Sequence, residues 1–191
     1  MNIITESKHA TEHTKAWFLK LPAGSTAARL ALALAAGLLV ACPGAQAQTN
    51  LATMDSDFIV TAAQGSMTEV ALGQLATEKG VRDDVKGLGK MMVKAHTKMG
   101  DDLKSLATQK GVILPTTLDA KHQAHLDKMT ALTGTEFDDA YIAGMVKGHT
   151  KDAKAFKNES DSTQDADIKG FLDKSIPVVE MHLKHVTAMQ K

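Results

Sequence analysis

Residues 112–134 read VILPTTLDAKHQAHLDKMTALTG, and this stretch decides how the rest of the chain is connected. Long helical patterns flank it on both sides. It far exceeds the roughly two to eight residues that usually join antiparallel helices in bundles. It carries apolar residues of its own at Leu118, Leu126, Met129 and Leu132. That pattern predicts a short helix of roughly 16 residues, about 24 Å long, which is most of the length of a helical bundle. A connection of that reach returns the chain to the end it left, so the helices before and after it run parallel.

The segment upstream runs from about Asp83 to Gly111, with a stripe of Val85, Leu88, Met92, His96, Met99, Leu103 and Leu106. Before it, Ser56 reads as an N-cap and Gly80 as a stop, with Phe58, Ala62, Gly65, Glu69, Leu72 and Ala76 between them. These are steps of three and four, the period of an amphipathic helix. Downstream, Thr135 and Asp138 form a capping-box-like start. From there Ile142, Met145, His149, Ala153 and Phe156 line one face as far as about Asn158. The last segment starts near Asp165 and passes through Ile168, Phe171, Ser175, Val178, His182, Val186 and Met189. Pro177 lies inside it and is expected to kink it. Apolar spacing is helical throughout, with no strand pattern. The fold class is therefore all-α: two antiparallel hairpins joined by one long crossover with a short extra helix, the connectivity of a ferritin-like four-helix bundle.

The N-terminus stands apart. Lys8, Lys15, Lys20 and Arg29 precede an apolar run from Leu30 to Ala41. That run is shorter than the roughly 20 residues needed to span a bilayer, and it suits the core of a signal peptide. Ala45-Gln46-Ala47 is a cleavage site of the A-x-A kind, which divides the chain into a signal peptide at 1–47, a linker at 48–55 and a helical domain at 56–191. The alternative is a lipoprotein signal ending at residue 41. Leu39-Val40-Ala41-Cys42 resembles a lipobox, in which Cys42 would be acylated and would anchor the protein to the outer membrane. Both readings export the chain to the periplasm, and no later apolar run is long enough to cross a membrane.

Cleavage after Ala47 leaves 144 residues, one domain, with 18 basic and 20 acidic side chains and a net charge of −2. So balanced a charge argues against nucleic acid as a partner. The one cysteine lies in the leader, so packing rather than disulfides must hold the domain together.

Four metal-capable residues interrupt the apolar stripes: Glu69, His96, His149 and His182. Each lies roughly 13 to 17 residues past its helix start, about 20–25 Å along the axis. Helix interiors seldom place such groups in a core without a partner, and four at one depth point to a shared site. One Glu with three His is a mononuclear set, suited to a single Zn, Cu, Fe or Mn ion. A di-iron centre would need Glu-x-x-His motifs, and none occurs after residue 47. Tyr141 stands beside the third stripe, placed to hydrogen-bond a ligand, and His185 is at the solvated edge of the fourth.

The order of Asp57-Phe58, Ala62-Ala63, Glu69, Gly73-x-Leu75-Ala76, Met92-Val93-x-x-His96, Phe137-Asp138-x-x-Tyr141, Met145-Val146-x-x-His149 and Pro177-x-x-x-x-His182-Leu183 resembles the exported bacterial family known as domain of unknown function 4142. The match runs over roughly residues 55–190. The resemblance implies a ferritin-like bundle in the periplasm or attached to the envelope, and it brings no established activity. In that family the residue before the second and third helix histidines is often acidic; here those positions are Ala95 and Gly148.

Other features read as bland. His122-x-x-His125 has ligand spacing but reads as a pair of surface histidines. Met91, Met92, Met99, Met145 and Met181 read first as filler for a core poor in aromatics, with a soft copper(I) site as the alternative. Gly87-Leu88-Gly89-Lys90 lacks the strand and spacing of a phosphate loop. Neither a nucleophile elbow nor a catalytic cysteine context is present, so the chain reads as a binding protein rather than an enzyme, with no catalytic residue. Two functions follow: a metal-binding bundle that buffers a metal or protects the envelope under stress, or an envelope interaction module whose polar core is only structural.

Overall fold

A computed structural model describes residues 51–190, which form five helices. They are α1 (Thr53–Lys79), α2 (Asp83–Lys110), α3 (Ala120–Ala131), α4 (Gly134–Ser162) and α5 (Ala166–Ala188). The leader, both cleavage readings and Cys42 lie outside the described residues.

Helix ends follow local chemistry, with two corrections. Gly80 closes α1, and Gly111, at φ 69°, closes α2 in the left-handed conformation that glycine adopts freely. Asp119 and Asp165 cap α3 and α5 by accepting from the amides of His122, and of Asp167 and Ile168. Ser56, however, is no cap: α1 starts at Thr53, and the Ser56 hydroxyl donates to the Thr53 carbonyl at 2.8 Å. The capping box expected from Thr135 and Asp138 does not form either. Asp138 turns to the neighbouring hairpin and accepts from the amides of Val81 (3.1 Å) and Arg82 (2.8 Å). Those amides lie just before the first turn of α2, where no intrahelical acceptor is available. A buried carboxylate at that positive helix end satisfies them and gains from the dipole.

Which ends meet fixes the topology. Phe58 near the start of α1 packs with Phe156 near the end of α4 and Phe171 near the start of α5. Toward the other end, Leu72 and Ala76 share a core with Val85, Leu88, Phe137, Tyr141 and Val186. Helices α1 and α5 therefore run one way and α2 and α4 the other, which makes the fold ferritin-like. The crossover helix has 12 residues, fewer than expected from the pattern, because residues 112–118 are non-helical. Gln64 of α1 fixes that passage: its Nε2 donates to the Thr117 carbonyl at 3.0 Å and its Oε1 accepts from the Asp119 amide at 3.1 Å. Covered on a second side by the crossover, α1 also buries Gln64, Ser66 and Thr68 outside its stripe.

The α1–α2 hairpin is tightened by a glycine pair. A Cβ on Gly73 would stand 2.8 Å from the Gly89 carbonyl oxygen, and one on Gly89 would stand 2.6 Å from that of Gly73. Gly89, in the phosphate-loop lookalike, is thus a packing residue. Helix α5 continues through Pro177 without a break, and it buries Val179 rather than Val178 between Ser175 and His182. Among the described residues no helix is long and apolar enough to cross a membrane.

Candidate metal centre

Each of three helices sends one imidazole to the same layer. On α2, His96 follows Met92 by one turn on the buried stripe; on α4, His149 follows Met145 in the same way; on α5, His182 lies between Val179 and Val186. Parallel α2 and α4 hold His96 and His149 level, and α5, packed against both, supplies the third ring. The centroids form a nearly equilateral triangle of 5.5, 5.4 and 5.3 Å. One nitrogen from each ring lies within 4.8 Å of the other two. Apolar layers close the triangle above and below, with Met92, Met145 and Val186 on one side and Met99 and Val179 on the other.

That enclosure sets the protonation states. Burial, reinforced by His149 and His182, pulls His96 down to about 3. Burial, then His149 and His185, pulls His182 down to about 4. His149 is lowered by burial against the opposing hydrogen bond to Met145. All three rings are thus neutral at neutral pH, the form that binds metals. His149 has its tautomer fixed: its Nδ1 lies 3.0 Å from the Met145 carbonyl, which can only accept. Its Nε2 lone pair therefore remains for a ligand. This is the usual orienting contact of a metal-binding histidine.

Five nitrogens of these three rings have no hydrogen-bond partner: Nε2 of His149 and both nitrogens of His96 and of His182. Buried polar atoms ordinarily find partners, and each one left without costs about 1–3 kcal/mol. Three converging lone pairs suit one metal ion, which would satisfy a nitrogen of every ring at once.

The structure does not bring Glu69, the expected fourth ligand, into this group. Its side chain is buried at the same depth but lies against α4, where a Cβ on Gly148 would come within 3.3 Å of its Oε1. The bare backbone at Gly148 makes that berth. Burial, then the charge of Asp152, raises Glu69 to about 8, so it is a neutral carboxylic acid at neutral pH. Tyr141 is raised by burial and then by Glu69. It stacks on Phe137 at 5.9 Å, and its hydroxyl has no hydrogen-bond partner, so it does not brace any of the three imidazoles. His185 is exposed, as its place on the stripe edge implies. His125 is exposed too, and the amide of His122 donates to Asp119 at 2.8 Å. Asp152, whose charge acts on Glu69, has no signal in the sequence, because it sits in a run of charges that reads as solvated.

Three cavities touch the triangle: a small one of about 50 Å³ among α1, α2 and α4 beside His96, and two larger grooves. One, about 740 Å³, opens between α1, α2 and the crossover and ends at His96. The other, about 490 Å³, opens between α2 and α5 and ends at His182.

Solved structures share this fold. A crystal structure of a DUF305 fragment from Deinococcus radiodurans superposes with a TM-score of 0.64 at 9% identity, covering 73% of this chain and 96% of that one. CopM in its Cu(I)-bound form superposes at 0.60 with 16% identity, covering 71% and 94%. CopM in its Ag-bound form, obtained by soaking, superposes at 0.58 with 16% identity, covering 71% and 93%. At these identities the likeness is one of fold. No curated protein matches the chain. A family model described as Domain of unknown function (DUF4142) matches residues 40–189.

Proposed function

The chain belongs to the domain of unknown function (DUF4142) family, and from that footing we propose that it is an exported helical bundle holding one metal ion on His96, His149 and His182. The observation that carries the reading is the set of five unpartnered imidazole nitrogens gathered in a buried triangle. Neutral imidazoles suit zinc, copper and iron, whereas manganese prefers oxygen donors. With Glu69 outside the group, manganese is the least suited of the four metals anticipated. CopM, of the same fold, has been solved with Cu(I) and with Ag bound, and this favours copper here. An ion shielded in a core, reached only through grooves, fits storage or buffering of a metal in the envelope better than turnover of a substrate. Export rests on the leader pattern, with a mature N-terminus at Gln48 or at acylated Cys42, which mass spectrometry of the native protein distinguishes.

Metal analysis of the purified domain, with titration of apo protein by zinc, Cu(I) and Cu(II), tests the centre. One ion per chain, lost in His149→Ala, is expected. A protein that binds no ion, and whose histidine variants shift stability equally with and without metal, would leave the polar core a structural device and favour the interaction module.

A further inference from the structure

Five methionines of α2, α4 and α5 fall into two groups, those enclosed away from any groove and those that line one. Met92 and Met145 are fully enclosed within the apolar layer beside the histidines, as filler should be. Met91, Met99 and Met181 line the groove between α2 and α5 that ends at His182, Met99 from within the apolar layer beside the triangle. Their exposures differ widely. Met181 is 51% exposed, one of the few large apolar side chains left in solvent, Met91 is half-buried, Met99 is 6% exposed and His182 is fully buried. A flexible thioether spread on the surface forfeits the burial that would stabilise it, so its place at the groove mouth calls for another account.

We propose that this groove is the entry path of a soft monovalent cation, Cu(I) or Ag(I), which Met181, Met91 and Met99 pass inward as transient thioether ligands to His182 and the histidine triangle. The proposal rests on the metal-centre reading and names its cargo. Thioether sulfur is a soft, uncharged donor that favours Cu(I) over zinc or other harder divalent ions. Charge at the rim selects in the same direction. Lys94, Lys98 and Lys174 face the groove, with Asp102 paired to Lys98 at 2.6 Å. The repulsion from that basic rim is twice as large for a divalent as for a monovalent ion. Both nitrogens of His182 lack partners, so the ring can accept an ion from the groove. The wider groove that ends at His96 has Met67 alone among its lining thioethers, and it is the competing path.

The test compares loading rates in rapid mixing, with Ag(I) in chloride-free buffer as the soft probe, Co(II) as the hard one, and histidine ring NMR signals reporting occupancy. In M91L/M99L/M181L, Ag(I) loading should slow by about tenfold or more, roughly 1.4 kcal/mol on the barrier, with the final occupancy and the Co(II) rate unchanged. Met181→Leu alone, at a half-exposed position that cannot decide folding, should slow Ag(I) measurably. Unchanged Ag(I) rates in both variants, or equal slowing of Ag(I) and Co(II), would overturn the path while leaving the centre intact. A wild-type protein whose histidine signals respond to no metal would overturn the centre and the path together.

Discussion

Two clusters of three rings stand one above the other in this bundle, and they are built alike from opposite chemistries. Phe58, Phe156 and Phe171 meet with centroids 5.2 to 6.4 Å apart. Some two turns along α4, His96, His149 and His182 meet at 5.3 to 5.5 Å. Both are buried, and both tie α4 to α5 and to one helix of the other hairpin. The phenylalanines are complete once buried, because apolar rings ask only for contact. The histidines are not, because five of their nitrogens remain without partners in a medium that penalises that. The same architecture therefore yields one cluster that stabilises the fold unaided and one whose contribution would rise with a bound ion.

The largest effect should come from breaking the cluster that works alone. Phe156→Ala removes a buried ring in contact with two others and should cost about 3–5 kcal/mol of unfolding free energy. Denaturant melts should give the same loss with and without metal. A loss that shrank on adding metal would mean that the two clusters are not separable.

Breaking the histidine cluster should give the complementary pattern. An ion that binds only the folded chain, present at 100 times its dissociation constant, adds about 2.7 kcal/mol, or roughly 5–11 °C in melting temperature for a domain of this size. His149→Ala should abolish that rise and change the melting of the metal-free protein far less than Phe156→Ala does. An undiminished rise in the variant would place the ion elsewhere.

Position along a stripe and direction across the bundle are not equally legible in a sequence. Periodicity places His96, His149 and His182 on core faces at one depth, and the long crossover makes α2 and α4 parallel, which together bring the rings level. Periodicity also puts Glu69 on its stripe, and it is indeed buried. Which neighbour it faces depends on α4, where the absence of a side chain at Gly148 opens a berth. That is a long-range fact with no local signature. Asp138 misleads for a related reason. Its spacing from Thr135 fits a cap for its own helix, but it caps α2 across the hairpins. The buried polar face of α1 appears only once the crossover is seen to cover it.

The glycine pair offers a way to disturb one cluster through its scaffold. Gly73→Ala would press a methyl group to 2.8 Å from the Gly89 carbonyl, backbone that cannot swing aside, so α1 and α2 must separate. Overpacking of this kind costs about 1–3 kcal/mol. Since α2 carries His96 but none of the phenylalanines, metal affinity should fall while the ring NMR shifts of Phe156 and Phe171 stay in place. Equal disturbance of both ring clusters would show that the hairpin holds the whole core in register rather than His96 alone.

The smallest effect separates Glu69 from the histidines by pH, in metal-free protein. Glu69 is raised to about 8 from an ordinary 4.5, so between these values the folded chain holds a proton that the unfolded chain has released. Its contribution is fully present below 4.5 and is lost as pH rises toward 8. The histidines run the other way. Their folded values lie below the ordinary 6.5, near 3 for His96 and 4 for His182, so their contribution is full above 6.5 and is lost as pH falls through that window. Above 6.5 the Glu69 limb should therefore stand out, at no more than about 1.4 kcal/mol per pH unit for one proton. Glu69→Gln, an uncharged near-isostere, should flatten the difference between wild type and variant below pH 4.5. It should also remove most of the decline from pH 6.5 to 8, the remainder belonging to Glu159, which burial and then Asp55 raise to about 7, and leave the acid limb of the histidines unchanged. A decline of full size in the variant would assign that limb to another buried acid and return Glu69 to the charged state expected of a ligand.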